Sequence, residues 1–257
     1  MTDDAVVALI AGLFGAVIGS FLNVCIVRWP AEQSVIKPRS RCPKCGLQIA
    51  WYDNVPIISW LALGSKCRVC KTPISALYPA VELATAVVWA WICYRHGFSL
   101  EALAGALFCT ILLGIAMTDA REYLIPDEFT YGGLVIGLAF AAAGGVEPLI
   151  AAVLGAAVGF GFLWILGYLG SWAFQQEAMG GGDIKMMAMV GAFVGWQGVL
   201  LTVFLGAFAA SLVYLPLALT GRKKDVPFGV FLSMGAALSY FVGPAIFEWY
   251  RGFIGGV

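Results

Sequence analysis

Apolar runs about 20 residues long, broken by short polar or glycine-rich stretches, divide the 257-residue chain. A helix rises about 1.5 Å per residue and the hydrocarbon core is roughly 30 Å thick. On that measure spans are expected near residues 5–27, 78–95, 101–118, 129–144 and 148–170. The apolar block from Ile184 to Leu219 is too long for one span, and Gly195-Trp-Gln-Gly198 divides it into a short helix and a longer one. A last span covers residues 230–249, which makes eight. The pattern predicts an all-α polytopic membrane protein in three parts: a first transmembrane helix over 1–27, a polar loop domain over 28–77 and a seven-helix transmembrane domain over 78–257.

Composition agrees, since 61% hydrophobic and 12% charged residues leave too little polar surface to coat a soluble globule. The apolar run at the amino end exceeds a signal-peptide core and follows an acidic Met1-Thr-Asp-Asp4, so it reads as a first span.

Charge adds orientation, because positive residues are retained on the cytoplasmic side. The segment from Arg28 to Lys71 holds eight of the fifteen Lys and Arg residues, and Arg222-Lys-Lys224 adds three. With eight alternating spans these segments share the cytoplasmic face with the loops carrying Asp119 and Asp183, and both termini lie outside. The net charge of zero gives the chain no field to draw nucleic acid, and none is expected as a partner. Locally, Lys37, Arg39, Arg41, Lys44, Lys66, Arg68 and Lys71 crowd one loop, where each well-placed cation gains about 1 kcal/mol against anionic lipid.

The same loop carries Cys42-Pro-Lys-Cys45 and Cys67-Arg-Val-Cys70. Two such knuckles aim four thiolates at one point, the tetrahedral set of a structural zinc, whereas a catalytic zinc keeps an open position. A redox dithiol is the competing reading, but no thioredoxin-like pattern surrounds the knuckles. Cys25, Cys93 and Cys109 lie in apolar spans as small buried hydrophobes.

Within this hydrocarbon, carboxylates demand a reason. Asp119 follows the third span in Thr118-Asp-Ala-Arg-Glu-Tyr-Leu-Ile-Pro-Asp127, and Asp183 opens the sixth in Met179-Gly-Gly-Gly-Asp-Ile-Lys185. Two carboxyls at one depth could share a proton, one acting as base and the other as acid, to activate water against a carbonyl. Gly180, Gly181 and Gly182 would let a substrate backbone approach Asp183. A proton- or ion-coupled transporter is the alternative use of such carboxylates, although no internal repeat with paired broken helices is evident. Asp127 after Pro126 reads as a turn or amino-cap residue. Glu82 is either a buried ion-pair partner or part of a site, and Lys185 either pairs with Asp183 or snorkels to the interface. The spacings Gly15-x-x-x-Gly19, Gly133-x-x-x-Gly137, Gly155-x-x-x-Gly159 and Gly191-x-x-x-Gly195 suit close helix packing.

Taken together, these motifs resemble the type IV prepilin peptidases, membrane aspartyl proteases of the GxGD kind. The resemblance runs through Gly19-Ser-Phe-Leu-Asn-Val24 with Arg28 and Pro30, the cysteine loop with Asn54-Val-Pro-Ile-Ile-Ser-Trp60, and Tyr78-Pro-Ala-Val-Glu82. It continues through Thr118-Asp119 to Ile125-Pro-Asp127, Met179 to Lys185, Gly191-Ala-Phe-Val-Gly-Trp196 and Val226-Pro-Phe-Gly229. Leu77 stands where the family often has Arg, and Val230 where it commonly has Pro. The resemblance implies that Asp119 and Asp183 are the catalytic pair and that Asp127 is not. It further implies cleavage of prepilins and pseudopilins after a glycine at the cytoplasmic boundary of a bacterial inner membrane. Methylation of the new amino terminus by S-adenosylmethionine is implied as well, although no glycine-rich nucleotide fingerprint is found.

Overall fold

The computed structural model describes residues 3–219 and 226–254, and the basic run Arg222–Lys224 lies outside the described residues. Eight α-helices are present among them: α1 (Asp3–Arg28), the short α2 (Ile58–Ala62), α3 (Leu77–His96), α4 (Leu100–Glu122), α5 (Asp127–Ala143), α6 (Val146–Phe174), α7 (Gly181–Leu219) and α8 (Phe228–Ile254). A 3-10 turn spans Trp51–Asn54, and two isolated bridges are the only β pairing among the described residues. Six helices are long and apolar enough to cross a membrane, namely α1, α3, α4, α6, α7 and α8.

Six differs from the expected eight for two physical reasons. The fourth apolar segment becomes α5, whose 17 residues rise about 26 Å, at the short end of the range that crosses a bilayer. The sixth and seventh segments are joined end to end in the 39-residue α7, as two helices with a break between them. That element is broken where the glycines suggested: Gly195 has φ 69° and ψ 177°, a conformation that only glycine adopts at little cost. At such a break the backbone needs a partner within the protein. Buried Ser239 of α8 supplies one, its hydroxyl donating to the Gly198 carbonyl at 3.0 Å.

The chain folds as two compact units, residues 1–110 and 111–257. In the first unit, α1 and α3 pack antiparallel along a glycine seam. A Cβ on Gly15 would lie 2.7 Å from Trp89 Cβ, and one on Gly19 would lie 2.8 Å from Glu82 Cα. The Asn23 side-chain amide then donates to the Tyr78 carbonyl at 3.0 Å, closing the seam at the loop end.

Among the described residues, Glu82 makes no ion pair with a basic residue. Its carboxylate accepts the Ile57 N–H at 2.7 Å, across from a backbone turn where Ile57 is held at φ 61°. A β-branched residue in that region is strained, and the buried carboxylate provides a fixed anchor for it at the start of α2.

In the second unit, α7 is the central helix and packs on α5, α6 and α8. Its Met186, Met187, Met189 and Val190 are fully enclosed. Small residues set these contacts, because lipid tails compete equally well for apolar side chains and close packing must supply the attraction. At the α6–α7 crossing, a Cβ on Gly191 would collide with the Gly155 backbone carbonyl, and a Cβ on Gly159 with the Met187 carbonyl. Gly191→Ala should therefore force the helices apart and destabilise the fold by about 1–3 kcal/mol. Thermal unfolding in detergent checks this, and an unchanged midpoint contradicts the packing.

Candidate active site

Asp119 lies near the end of α4 and is only 6% exposed. Beside it Thr118 is fully buried and returns its hydroxyl to the Gly114 and Ile115 carbonyls at 3.1 and 3.0 Å. That leaves the Asp119 carboxylate free to bond elsewhere. Its Oδ2 accepts the Val230 N–H at 3.1 Å, in the first turn of α8. The first backbone N–H groups of a helix lack the usual i−4 partner, and the Val230 N–H has otherwise only a 3.3 Å bond to the Pro227 carbonyl among the described residues, so Asp119 caps α8 from another element. A Cβ on Gly229 would lie 2.9 Å from the same oxygen, so the carboxylate reaches this turn only because glycine is there. The Val230 position matters for a related reason, since a proline there would have no N–H to give.

Asp183 lies in the first turn of α7, where the glycine run changes direction into the helix. The fold brings it to Asp119, and the two carboxyls lie within electrostatic range of each other. Asp183 Oδ1 is buried and has no hydrogen-bond partner among the described residues. The three glycines occupy different surroundings. A Cβ on Gly182 would lie 3.0 Å from Ile125 Cβ, one on Gly180 3.4 Å from Asp183 Oδ2, and one on Gly181 would meet nothing within 4 Å.

Ile125 is the residue that sequence reasoning left without a role. It lies in the link between α4 and α5, is 7% exposed, and packs against the backbone positions of both Gly182 and Gly229. One side chain thus spaces the start of α7 from the start of α8. The only sequence signal for it is its place directly before Pro126 in the short Tyr123-Leu124-Ile125-Pro126 link.

Lys185 does not pair with Asp183. Its Nζ lies 2.7 Å from Asp127 Oδ1 and 2.9 Å from Asp127 Oδ2. Asp127 makes no side-chain amino cap; it opens α5 as an ion-pair partner instead.

The cysteine loop forms a second, separate centre in the first unit. The Sγ atoms of Cys42, Cys45, Cys67 and Cys70 all lie within 4.8 Å of one another. Four sulfurs about 2.3 Å from one ion at tetrahedral angles would stand roughly 3.8 Å apart, and Cys42 Sγ to Cys70 Sγ is 3.6 Å. The cluster fits a structural metal.

Its two halves are built alike. Cys42 N–H donates to Leu47 O, Gly46 N–H to Cys42 O and Ile49 N–H to Ser40 O. The same bonds recur from Cys67 to Thr72 O, from Lys71 to Cys67 O and from Ile74 to Ser65 O. Gly46 and Lys71 occupy the same left-handed place, at φ 70° and 56°.

The sulfurs differ in acidity. The Thr72 hydroxyl and amide hold the Cys70 thiol down to about 6. Cys45, despite the Leu47 amide that favours its thiolate, is pushed up to about 11 by desolvation and by the sulfurs of Cys42 and Cys70. Four thiolates sit this close only with a cation between them, so metal binding would drive off protons.

With the geometry in place, the protein is defined as a multi-pass membrane protein with a paired-carboxylate site and a four-cysteine metal-binding loop. Residues 13–96 match the family described as Bacterial Peptidase A24 N-terminal domain. Residues 106–215 match the Type IV leader peptidase family. A curated relative from Myxococcus xanthus, named prepilin leader peptidase/N-methyltransferase, is 40% identical over 82% of this chain and 63% of its own length. Relatives of the same name from Burkholderia pseudomallei and Aeromonas hydrophila are 35% and 34% identical, over 90% and 93% of this chain and 84% and 91% of theirs. No solved structure matches the chain significantly. The chain belongs to the type IV leader peptidase family, which sets aside the transporter reading of its carboxylates.

Purified protein should carry about one divalent metal ion per chain, and Cys67→Ser should lose most of it. Elemental analysis by mass spectrometry checks this, and undiminished metal in the variant contradicts the cluster.

Proposed function

We propose that the protein is a membrane aspartyl endopeptidase that removes the short basic leader from type IV prepilins and pseudopilins and methylates the amino terminus it exposes. One observation carries the reading: in a chain of the leader peptidase family, α4 and α7 bring buried Asp119 and half-buried Asp183 within electrostatic range of each other. The charge distribution supports a position for this site and the cysteine loop on the cytoplasmic side of a bacterial inner membrane. Loop cations then lie against anionic lipid, and the substrate's apolar helix lies among the spans.

The chemistry follows from the two carboxyls. One accepts a proton from water as the oxygen attacks the scissile carbonyl, and the other donates a proton to the leaving nitrogen as the C–N bond breaks. Asp119 is held in place by the first turn of α8. The buried Asp183 Oδ1, without a protein partner among the described residues, suits a hydrogen bond from the water or substrate. The open side at Gly181 is where a substrate backbone would come closest.

Zinc is the metal that four thiolates in this arrangement favour. Held by Cys42, Cys45, Cys67 and Cys70, it would serve as a structural cross-link of residues 28–77, with no open position for catalysis. The methyl donor implied by the family is S-adenosylmethionine. The described residues form helices, turns and loops, with no strand-turn-helix nucleotide fold among them.

A prepilin cleavage assay with purified protein tests the reading. Asp119→Asn and Asp183→Asn should each lower cleavage by at least about 10³-fold, the scale lost when an acid-base or electrostatic group is removed, while the protein still accumulates in the membrane. Cleavage that survives either change overturns the dyad. The same assay with S-adenosylmethionine should yield a product heavier by one methyl group, and an unmethylated product would restrict the enzyme to proteolysis.

A further inference from the structure

Two charged side chains beside the aspartate pair take no part in the proposed hydrolysis and meet each other instead. Lys185 follows Asp183 by two residues on α7, an offset that turns a helical side chain about 200° away. Its Nζ is held by both oxygens of Asp127 at 2.7 and 2.9 Å, and it lies 5.4 Å from the centre of the Tyr131 ring, one turn further along α5. Asp127 directly follows the α4–α5 link whose Ile125 rests on Gly182 and Gly229. The link therefore contacts the start of α7 at two points: an apolar one at Ile125 and an ionic one at Asp127.

We infer that Asp127 and Lys185 are positioning residues of the peptidase, their ion pair clamping the first turn of α7 to the start of α5 and so setting Asp183 against Asp119. The inference rests on the peptidase reading of the dyad. The two side chains are 53% and 32% exposed, so the pair adds little to global stability. Its effect is on geometry, where a displacement of about 1 Å at a catalytic group costs on the order of 10²-fold in rate. It also gives the third acid of the region a role: both Asp127 oxygens are occupied by Lys185, which keeps that carboxylate out of the acid-base step and keeps the lysine away from Asp183.

Steady-state kinetics of the purified full chain on a prepilin substrate, with kcat and KM resolved and melting followed in parallel, test the clamp. The variants are Asp127→Asn, Lys185→Met, the double variant and Lys185→Arg. Each single loss should lower kcat about tenfold with KM within about threefold. The double variant should be no slower than the slower single, because both remove one interaction. Lys185→Arg should stay within about threefold of the parent, and it carries the test against Lys185→Gln if a carboxylate variant fails to fold.

Multiplied losses in the double variant would overturn the clamp, as would full kcat in Lys185→Met. So would Asp127→Asn falling to the background of Asp119→Asn while Lys185→Met stays active, which would make Asp127 catalytic. Silent clamp variants beside inactive Asp119→Asn and Asp183→Asn would sink this inference alone, whereas active dyad variants would sink the peptidase reading itself.

Discussion

A carboxylate enclosed among membrane helices persists only where protein groups replace the hydrogen bonds that water would have made. The bond from the Val230 N–H to Asp119 is that replacement, and the site is arranged around it. It needs a helix to begin there, so that a first-turn N–H whose only other bond among the described residues is a 3.3 Å one to the Pro227 carbonyl points at the carboxylate. It also needs Gly229, because any side chain at that position would stand between the turn and the acid. Ile125 then sets the spacing to α7 through its contact with Gly182, and Asp183 follows from where α7 begins. The placement of the two carboxyls thus depends on the first turns of two helices and the link that separates them.

The first unit meets the same problem with a different carboxylate. Glu82 anchors the strained turn at Ile57, which starts α2. Trp60 of α2 donates its ring N–H to the Ile74 carbonyl at 3.1 Å, next to the second cysteine knuckle. A chain of hydrogen bonds therefore runs from a membrane helix to the metal loop. The loop is too poor in apolar contacts to hold itself together, and cross-linking by metal is the usual remedy at that size.

Much of this was legible in the sequence wherever the controlling pattern is local. Apolar runs located the helices, and Gly195 marked the break in α7 because only glycine fits that conformation. The knuckle spacing placed four sulfurs together because each tight turn determines two of them. Where a partner is distant in the chain, the pattern was silent. Lys185 finds Asp127, 58 residues away, rather than Asp183 two residues away, because helix geometry turns it off that face. Val230 read as a departure from a common proline, and only the fold shows that the substitution supplies a donor to Asp119. Six long apolar helices stand against eight expected spans because α7 joins two helices across the Gly195 break and α5 has only 17 residues.

The central claim is that Asp119 and Asp183 together bind the tetrahedral species of peptide hydrolysis. Its most direct test is the affinity of a prepilin peptide whose scissile bond is replaced by a non-cleavable, hydroxyl-bearing tetrahedral isostere. Such a mimic should bind the parent protein at least about 10²-fold tighter than the uncleaved peptide, and that advantage should vanish in both Asp119→Asn and Asp183→Asn. An advantage retained in both variants would contradict the account.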